Sequence, residues 1–397
     1  MHYTMLFSPI SINGMVVRNR FVRSATAESL CKENGRATPE LAACWRKLAA
    51  GGVGLLTSGL LHVSEKGRGY FLGGGLCHDD QIPDLANAIK AAHEHGAKVA
   101  IQLYHSGRQT SPAYIGGSTP LAPSAFPPDP FYKVTPRAMT VDEIHETIEA
   151  FVQAAKRAKT AGADAVQLHG AHGYLISAFL SPYTNKRTDE WGGSLENRMR
   201  FVVEIFNRMR QTLGKNYPIM IKVNAEDGVE NGLGIEEGVL VAKRLAGLGM
   251  DAIEISGGIL VDSMFMIVRG DVPIDYLTAP IKDPVEKANT EAFFYSIKDV
   301  VAHKEAYWLA HAEKIKPAIG KTPLILVGGM KYPQTMEKIL TDGKADMISF
   351  CRPLIREPDL PNQIVNGRSS PVKCGSCNRC TFEICVLNKP LRCYNLS

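Results

Sequence analysis

Asp164-Ala165-Val166-Gln167-Leu168-His169-Gly170-Ala171-His172-Gly173-Tyr174 reads as a short buried strand that empties into a turn. Its first half is apolar but for one amide. Its second half sets two histidines and a tyrosine among glycines, which let a backbone turn sharply or approach a ligand closely. An imidazole that titrates near neutrality and a phenol can together bind an oxyanion and donate a proton. The plainer reading is a pair of structural histidines capping a strand, and the surrounding chain has to decide between the two.

Outward from this stretch the chain alternates strand and helix. Apolar strand-length runs fall at 19–24, 53–58, 98–103, 164–169, Ile219–Asn224, 251–257, 323–329 and 346–351. Helical spacing falls between them at Pro39–Ala50, 79–95, 140–160, Leu195–Leu213, 236–248, 303–316 and 333–340. Thr140-Val141-Asp142-Glu143 has the form of a capping box that starts the third helix. Two stretches break the rhythm. One is a Pro-, Gly- and Ser-rich loop at 106–138. The other is 259–301, where Met264, Phe265 and Met266 suggest either a lid over a mouth or a surface insertion. Alternation of this kind argues for parallel strands with helical crossovers. Eight such units give an α/β chain folded as a (β/α)8 TIM barrel over residues 1–360, with a C-terminal Cys-rich extension, 361–397, packed on it. An open doubly wound sheet is the alternative, but no Gly-x-Gly-x-x-Gly follows the first strand.

The 397 residues are 45% hydrophobic and 21% charged, with a formal net charge of +5 spread along the chain. That composition is globular, and the scattered basic residues argue against a nucleic-acid partner. The N-terminus has no basic, apolar leader and no run long enough to cross a bilayer, so the expected location is cytoplasmic, with no membrane partner. Nothing in the sequence fixes the oligomeric state, and self-association stays open.

The active site of such a barrel lies at the C-terminal ends of its strands. Those ends deliver Ser24, Ala25 and Thr26; Gly59; Gln102; His169, His172 and Tyr174; Lys222; Gly328 and Gly329; and Cys351 with Arg352. Loops after the seventh and eighth strands often hold a phosphate in this fold. Gly328-Gly329 exposes backbone N–H groups, and Arg352 adds a bidentate donor. A tight turn and a surface salt bridge explain each alone, but together at adjacent strand ends they favour phosphate. Gln102 can read a donor and an acceptor on a heterocycle, and Lys222 would stabilise a ring that gains negative charge on reduction. A phosphate site, an amide and a cation suit FMN.

Nine cysteines are present, and five lie between Cys374 and Cys393. Such a clump at one end of a probable intracellular enzyme reads as metal ligands rather than disulfides. Cys374, Cys377, Cys380 and Cys393 form a C-x2-C-x2-C-x12-C pattern, with Cys385 between them outside it. Four thiolates suit a [4Fe–4S] cluster or a zinc ion, and an empty remnant is the third option.

Over nearly its whole length the sequence resembles the Old Yellow Enzyme family. The resemblance rests on Leu6-Phe7-Ser8-Pro9, on Arg18-Asn19-Arg20, on the stretch from His169 to Tyr174, and on the run through Leu180-Ser181-Pro182, Asn185 to Asp189 and Gly192 to Arg198. The C-terminal cysteines resemble the [4Fe–4S] motif of the branch that holds 2,4-dienoyl-CoA reductase and trimethylamine dehydrogenase. The resemblance implies an ene-reductase: FMN across the mouth, reduced by NAD(P)H, and an activated C=C bond reduced in turn. It implies that His169 and His172 hold the substrate's carbonyl oxygen and that Tyr174 protonates the α-carbon. Gln102 and Lys222 would then meet the flavin ring, and Gly329, Cys351 and Arg352 its phosphate. Three positions depart from the family pattern: Lys222 replaces a usual arginine, Cys351 a usual glycine, and Ala27 a usual threonine or cysteine. The chain ends four residues after Cys393, without the second flavin domain of multidomain relatives, so a separate electron-donor flavoprotein is a conceivable partner. The alternatives are an amine or alcohol dehydrogenase, or an electron-transfer subunit of a larger flavoprotein complex.

Overall fold

The computed structural model describes residues 3–395 apart from 129, 130, 386 and 388. Eight parallel strands close on themselves: β1 (Phe21–Arg23), β2 (Leu55–His62), β3 (Lys98–Tyr104), β4 (Ala165–Gly170), β5 (Ile219–Asn224), β6 (Ala252–Ser256), β7 (Leu324–Val327) and β8 (Met347–Phe350). Each pairs with its sequence neighbours, and β1 pairs with both β8 and β2, which closes the (β/α)8 barrel. The crossover helices are α1 (Pro39–Ala50), α2 (Ile82–His93), α3 (Val141–Thr160), α4 (Leu195–Leu213), α5 (Ile235–Gly247), α6 (Leu309–Ala318) and α7 (Pro333–Thr341), and α8 (Leu360–Val365) follows β8. Among the described residues, no helix is long and apolar enough to cross a membrane.

Local chemistry accounts for these elements. In α1, Thr38 caps the first turn, Pro39 opens it, and Leu41, Trp45, Leu48 and Ala49 bury one face at helical spacing. The Thr140–Glu143 capping box forms as its sequence indicates. Each strand then contributes one residue to a shared apolar base: Val22, Leu55, Ala100, Ala165, Met220, Ala252, Ile325 and Met347. A hairpin of Ile10–Ile12 and Met15–Val17 plugs this base from below with Ile12, Met15 and Val17. Because side chains alternate across a strand, the residues two further on face the same interior one level higher, toward the mouth.

Two boundaries differ by four residues or more from those read in the sequence. β2 runs four residues past Ser58, with its pairing to β3 shifting between Thr57 and Leu60. α6 starts at Leu309 rather than at 303. The chain before it folds back over the Gly329 turn, where a β-carbon on Gly329 would lie 2.2 Å from the Lys304 carbonyl oxygen. The 259–301 stretch holds three helices, Met264–Ile267, Ile274–Thr278 and Pro284–Ile297, the last without a buried residue.

Candidate active site at the barrel mouth

Above the apolar base, the next interior level is largely polar and bonded across the barrel. Gln102 donates its backbone N–H to the Ser58 hydroxyl oxygen (2.8 Å) and its side-chain amide to Gln167 Oε1 (2.7 Å). Gln167 donates to Glu254 Oε2 at 3.0 Å. The other carboxylate oxygen of Glu254 accepts from Ser24 and Ser349, each at 2.9 Å, and lies 3.3 Å from Lys222 Nζ. Lys222 in turn donates to Ser24 Oγ at 2.7 Å. Both side chains of the Lys222–Glu254 pair are buried. A charge sealed from water needs such a set of partners. Lys222 is therefore a paired cation, its charge offset by a carboxylate directly beside it. Glu254 was not singled out in the sequence. The available signal is a lone acid at an inward position of an otherwise apolar barrel strand.

One oxygen of this network is left over. Gln102 Oε1 is buried and has no hydrogen-bond partner, although buried carbonyl oxygens normally have one. Over the mouth lies an open-sided cavity of about 700 Å³, counting the solvent space it opens onto, lined by Ser24, Ala25, His172, Lys222, Gly328, Gly329, Cys351 and Arg352. Gly328 and Gly329 both take left-handed backbone, at φ 110° and 74°, a conformation a side chain would oppose. Lys331, His303 and Tyr307 line the same cavity and were not read in the sequence; His303 Nε2 lies 3.1 Å from the Gly329 carbonyl oxygen. Arg352 is anchored by Asn378 and by the Arg269 carbonyl oxygen, which takes two of its five N–H donors. An orphaned amide oxygen, a buried lysine and a left-handed Gly-Gly backbone lining the cavity beside arginine and lysine fit the ring and phosphate of FMN. Gly59 and Thr26 sit to the side. Gly59 donates its N–H to Glu28 Oε2 at 3.1 Å and lines a neighbouring cavity with Ala27. The Thr26 hydroxyl bonds the Ser24 carbonyl oxygen at 2.9 Å and lies 3.0 Å from Cys351 Sγ.

The end of β4 gathers its three aromatic groups as the sequence suggested. The His169 ring lies 5.1 Å from that of His172 and 4.8 Å from that of Tyr174. His172 sits at φ 63°, donates its N–H to Asn224 Oδ1, and shares a hydrogen bond of 2.8 Å between Nε2 and Ser256 Oγ. His169 Nδ1 accepts the Ala171 amide at 3.4 Å, so Nε2 carries its proton. The Tyr174 hydroxyl is 2.7 Å from that of Tyr70, a loop residue that carried no periodic signal.

At the C-terminus, Asn378 clamps the Cys-rich segment to the barrel. Its amide donates to the carbonyl oxygens of Val268 (3.0 Å) and Asp271 (2.9 Å) while its oxygen receives Arg352. Burial pushes the Cys380 thiol up to about 12, and Cys351, Arg352, Cys374 and Cys377 are all near enough to act on it. Cys374, likewise raised by burial, feels Cys377 and Cys393. The four thiols are thus in one neighbourhood, each within electrostatic reach of another, with Arg356 donating toward Cys393 Sγ at 3.9 Å. Cys374 also lines the 700 Å³ cavity. The side chain of Cys385 lies outside the described residues.

Comparison with known proteins bears on all of this. The model of the NADH:flavin oxidoreductase / NADH oxidase family matches residues 5–370. The NADH oxidase of Thermoanaerobacter brockii is 35% identical over 395 residues, covering 99% of this chain and 56% of the relative. An NADPH dehydrogenase of Halalkalibacterium halodurans is 35% identical over 360 residues, covering 90% of this chain and 93% of the relative. The solved complex of 2-naphthoyl-CoA reductase with 2-naphthoyl-CoA matches with a TM-score of 0.85 at 29% identity, over 98% of this chain and 56% of that one. The chain thus spans little more than half the length of the oxidase and the naphthoyl-CoA reductase.

The electrostatics of the mouth make a pH prediction. Burial, with Lys222 adding to it, drives the His172 pKa down to about 3. Burial lowers His105 to about 3 as well, with His62 and Lys66 contributing. His169 is held well below the ordinary histidine range by burial first, then by His172 and Lys222. These rings are neutral in the folded chain, whereas the unfolded chain takes up protons on them below about pH 6.5. The unfolded state then binds more protons, so their contribution is intact above pH 6.5 and is lost as pH falls toward 3. The thermal midpoint should drop between pH 7 and pH 5. His105→Gln should flatten that slope by up to about 1.4 kcal/mol per pH unit. An unflattened slope in that variant would mean that the folded ring takes up its proton.

Proposed function

The chain belongs to the NADH:flavin oxidoreductase / NADH oxidase family, the Old Yellow Enzyme group, and on that premise we propose that it reduces an activated C=C bond, in an α,β-unsaturated carbonyl or enoyl compound, with FMN and electrons from NAD(P)H. The observation that carries this reading is the Tyr70–Tyr174 hydroxyl pair beside two neutral histidines. A protein that only carries electrons has no use for a positioned proton donor. The chemistry that bound FMN supplies is a hydride relay from NAD(P)H to the β-carbon of the substrate. Gln102 and Lys222 would hold its ring, and Gly328, Gly329, Cys351 and Arg352 its phosphate, with Ser24, Ala25, Thr26 and Gly59 around them.

The chain's own residues supply the rest. Negative charge builds on the substrate's carbonyl oxygen as the β-carbon gains hydride. His169 offers its Nε2–H to that oxygen, and His172, with one ring nitrogen on Ser256, offers the other. Donors fixed before the charge develops stabilise the transition state more than the ground state. Tyr174 then gives its proton to the α-carbon, and Tyr70 is placed to hand a proton back to it. The likeness to 2-naphthoyl-CoA reductase supports a conjugated acyl thioester as one member of the substrate class.

The proposal extends to the C-terminal segment, residues 361–397, packed on the barrel of 1–360. Cys374, Cys377, Cys380 and Cys393 bind one [4Fe–4S] cluster. The same four thiols can serve zinc, and the redox chemistry of the fold favours the cluster. Cys374 lining the flavin cavity supports electron exchange between the two, with a separate flavoprotein as an alternative source to NAD(P)H.

Tyr174→Phe removes only the hydroxyl. It should slow alkene reduction by about 10²–10⁴-fold while leaving flavin reduction by NAD(P)H nearly unchanged, as read by stopped-flow of the two half-reactions. Equal slowing of both halves, or of neither, would reject the assignment. For the cluster, anaerobically purified protein should carry about four irons per chain; stoichiometric zinc without iron would reject it.

A further inference from the structure

β2 ends in His62, whose imidazole is wholly buried and has no side-chain hydrogen-bond partner, with only the Gly74 backbone close enough to bond to it. A polar ring sealed from water normally has a partner. Three residues on, in the turn Glu65–Gly67, Glu65 Oε1 lies 4.0 Å from His62 Nε2. The chain then returns along β2. The two-residue strand Gly74–Gly75 pairs in parallel with Leu61 and His62, and so delivers Cys77 and His78 to the same place. Cys77 Sγ is 3.3 Å from Glu65 Oε1, and His78 Nε2 is 3.5 Å from it. The donor atoms of His62, Glu65 and Cys77 all lie within 4.8 Å of one another.

These separations approach those of a coordination shell. A tetrahedral zinc with bonds of about 2.0–2.3 Å sets its ligand atoms about 3.3–3.8 Å apart. Arg68 Nη2 holds the far carboxylate oxygen, Oε2, at 3.2 Å and so leaves Oε1 directed at the cluster. Such outer contacts orient a ligand without occupying it. Gly75 has no side chain where a β-carbon would lie 2.6 Å from His62 Nε2, so the backbone passes close to that edge of the ring, with the Gln81 amide beside it. The simpler account, a thiol donating to a surface carboxylate, explains Cys77 and Glu65 but leaves the two buried ring nitrogens of His62 with only the Gly74 backbone between them.

We propose that His62 Nε2, Glu65 Oε1 and Cys77 Sγ, with His78 Nε2 completing the set, bind a zinc-class divalent cation. Two imidazoles, one thiolate and one carboxylate suit a borderline metal and are a poor match for calcium or magnesium, which take oxygen ligands. The Cys77 thiol releases its proton to solvent as the ion binds. The ion would fasten the end of β2 to the loop that carries Tyr70, the partner of the Tyr174 hydroxyl. It would thus brace the site from outside.

The test compares the purified full-length protein with Cys77→Ala. The thiol is half-buried, so its loss leaves no large cavity, and circular dichroism confirms that both are folded. Both are titrated with zinc ion against a chromophoric chelator, then dialysed and analysed for bound metal. The C-terminal thiols contribute equally to the two proteins, so the difference isolates this site. The expected result is one zinc per chain fewer in Cys77→Ala, or an affinity weaker by about tenfold or more, with Glu65→Gln behaving alike. Equal zinc content and affinity in wild type and both variants would overturn the proposal.

Discussion

A lysine and a glutamate face each other inside this barrel, Lys222 on β5 and Glu254 on β6, with 3.3 Å between their charged atoms. Burying such a pair is costly unless every remaining lone pair and proton is matched. The strands supply the match: Ser24 from the β1 end, Gln102 from β3, Gln167 from β4 and Ser349 from β8. Most of the polar groups that the mouth can present are therefore fixed by what lies beneath it. The exceptions at this level are Gln102 Oε1 and the Thr57 hydroxyl, both buried without a partner. A network so extensively bonded is rigid, and rigidity is what a site needs if its donors are to be in place before charge develops.

The opposite wall of the mouth is held by a second constraint. Arg352 begins the short helix after β8 and reaches Asn378, which also ties down the 268–271 backbone. The β8 end, the 268–271 backbone of the insertion and the Cys-rich segment therefore meet at one arginine. That junction puts Cys374 on the cavity that the proposed phosphate and ring would share. In this reading a flavin and a cluster are neighbours because one side chain links the pieces of chain that hold them.

The barrel was legible because its signals are local. The strand Ile219–Asn224 and the helices Pro39–Ala50 and Leu195–Leu213 have the bounds that their periodicity implies, and Thr140 and Glu143 form the expected cap. Membership of the Old Yellow Enzyme group was legible in the long motif that starts at His169. What stayed hidden depends on contacts between distant residues. Lys222 reads as a free cation until Glu254, 32 residues later, is seen beside it. Tyr70 sits in a loop whose only clue is Gly67-Arg68-Gly69, and its bond to Tyr174 spans 104 residues. α6 starts late because the preceding backbone packs on Gly329, a fold-back that helical periodicity cannot reveal. His62 and Cys77 carry no recognised metal-ligand spacing; the pairing of Gly74–Gly75 with β2 brings them together.

The central claim is that FMN sits over a cation whose charge is balanced by a carboxylate below it. The measurement that meets this most directly is the reduction potential of bound FMN in wild type and in Glu254→Gln. Glutamine keeps an acceptor for Ser24 and Ser349 and removes the negative charge, so the positive charge of Lys222 is no longer offset and favours the reduced, more anionic ring. The account predicts a higher potential in Glu254→Gln with FMN still bound. An unchanged or lower potential, or wild-type protein that takes up no FMN, would contradict it.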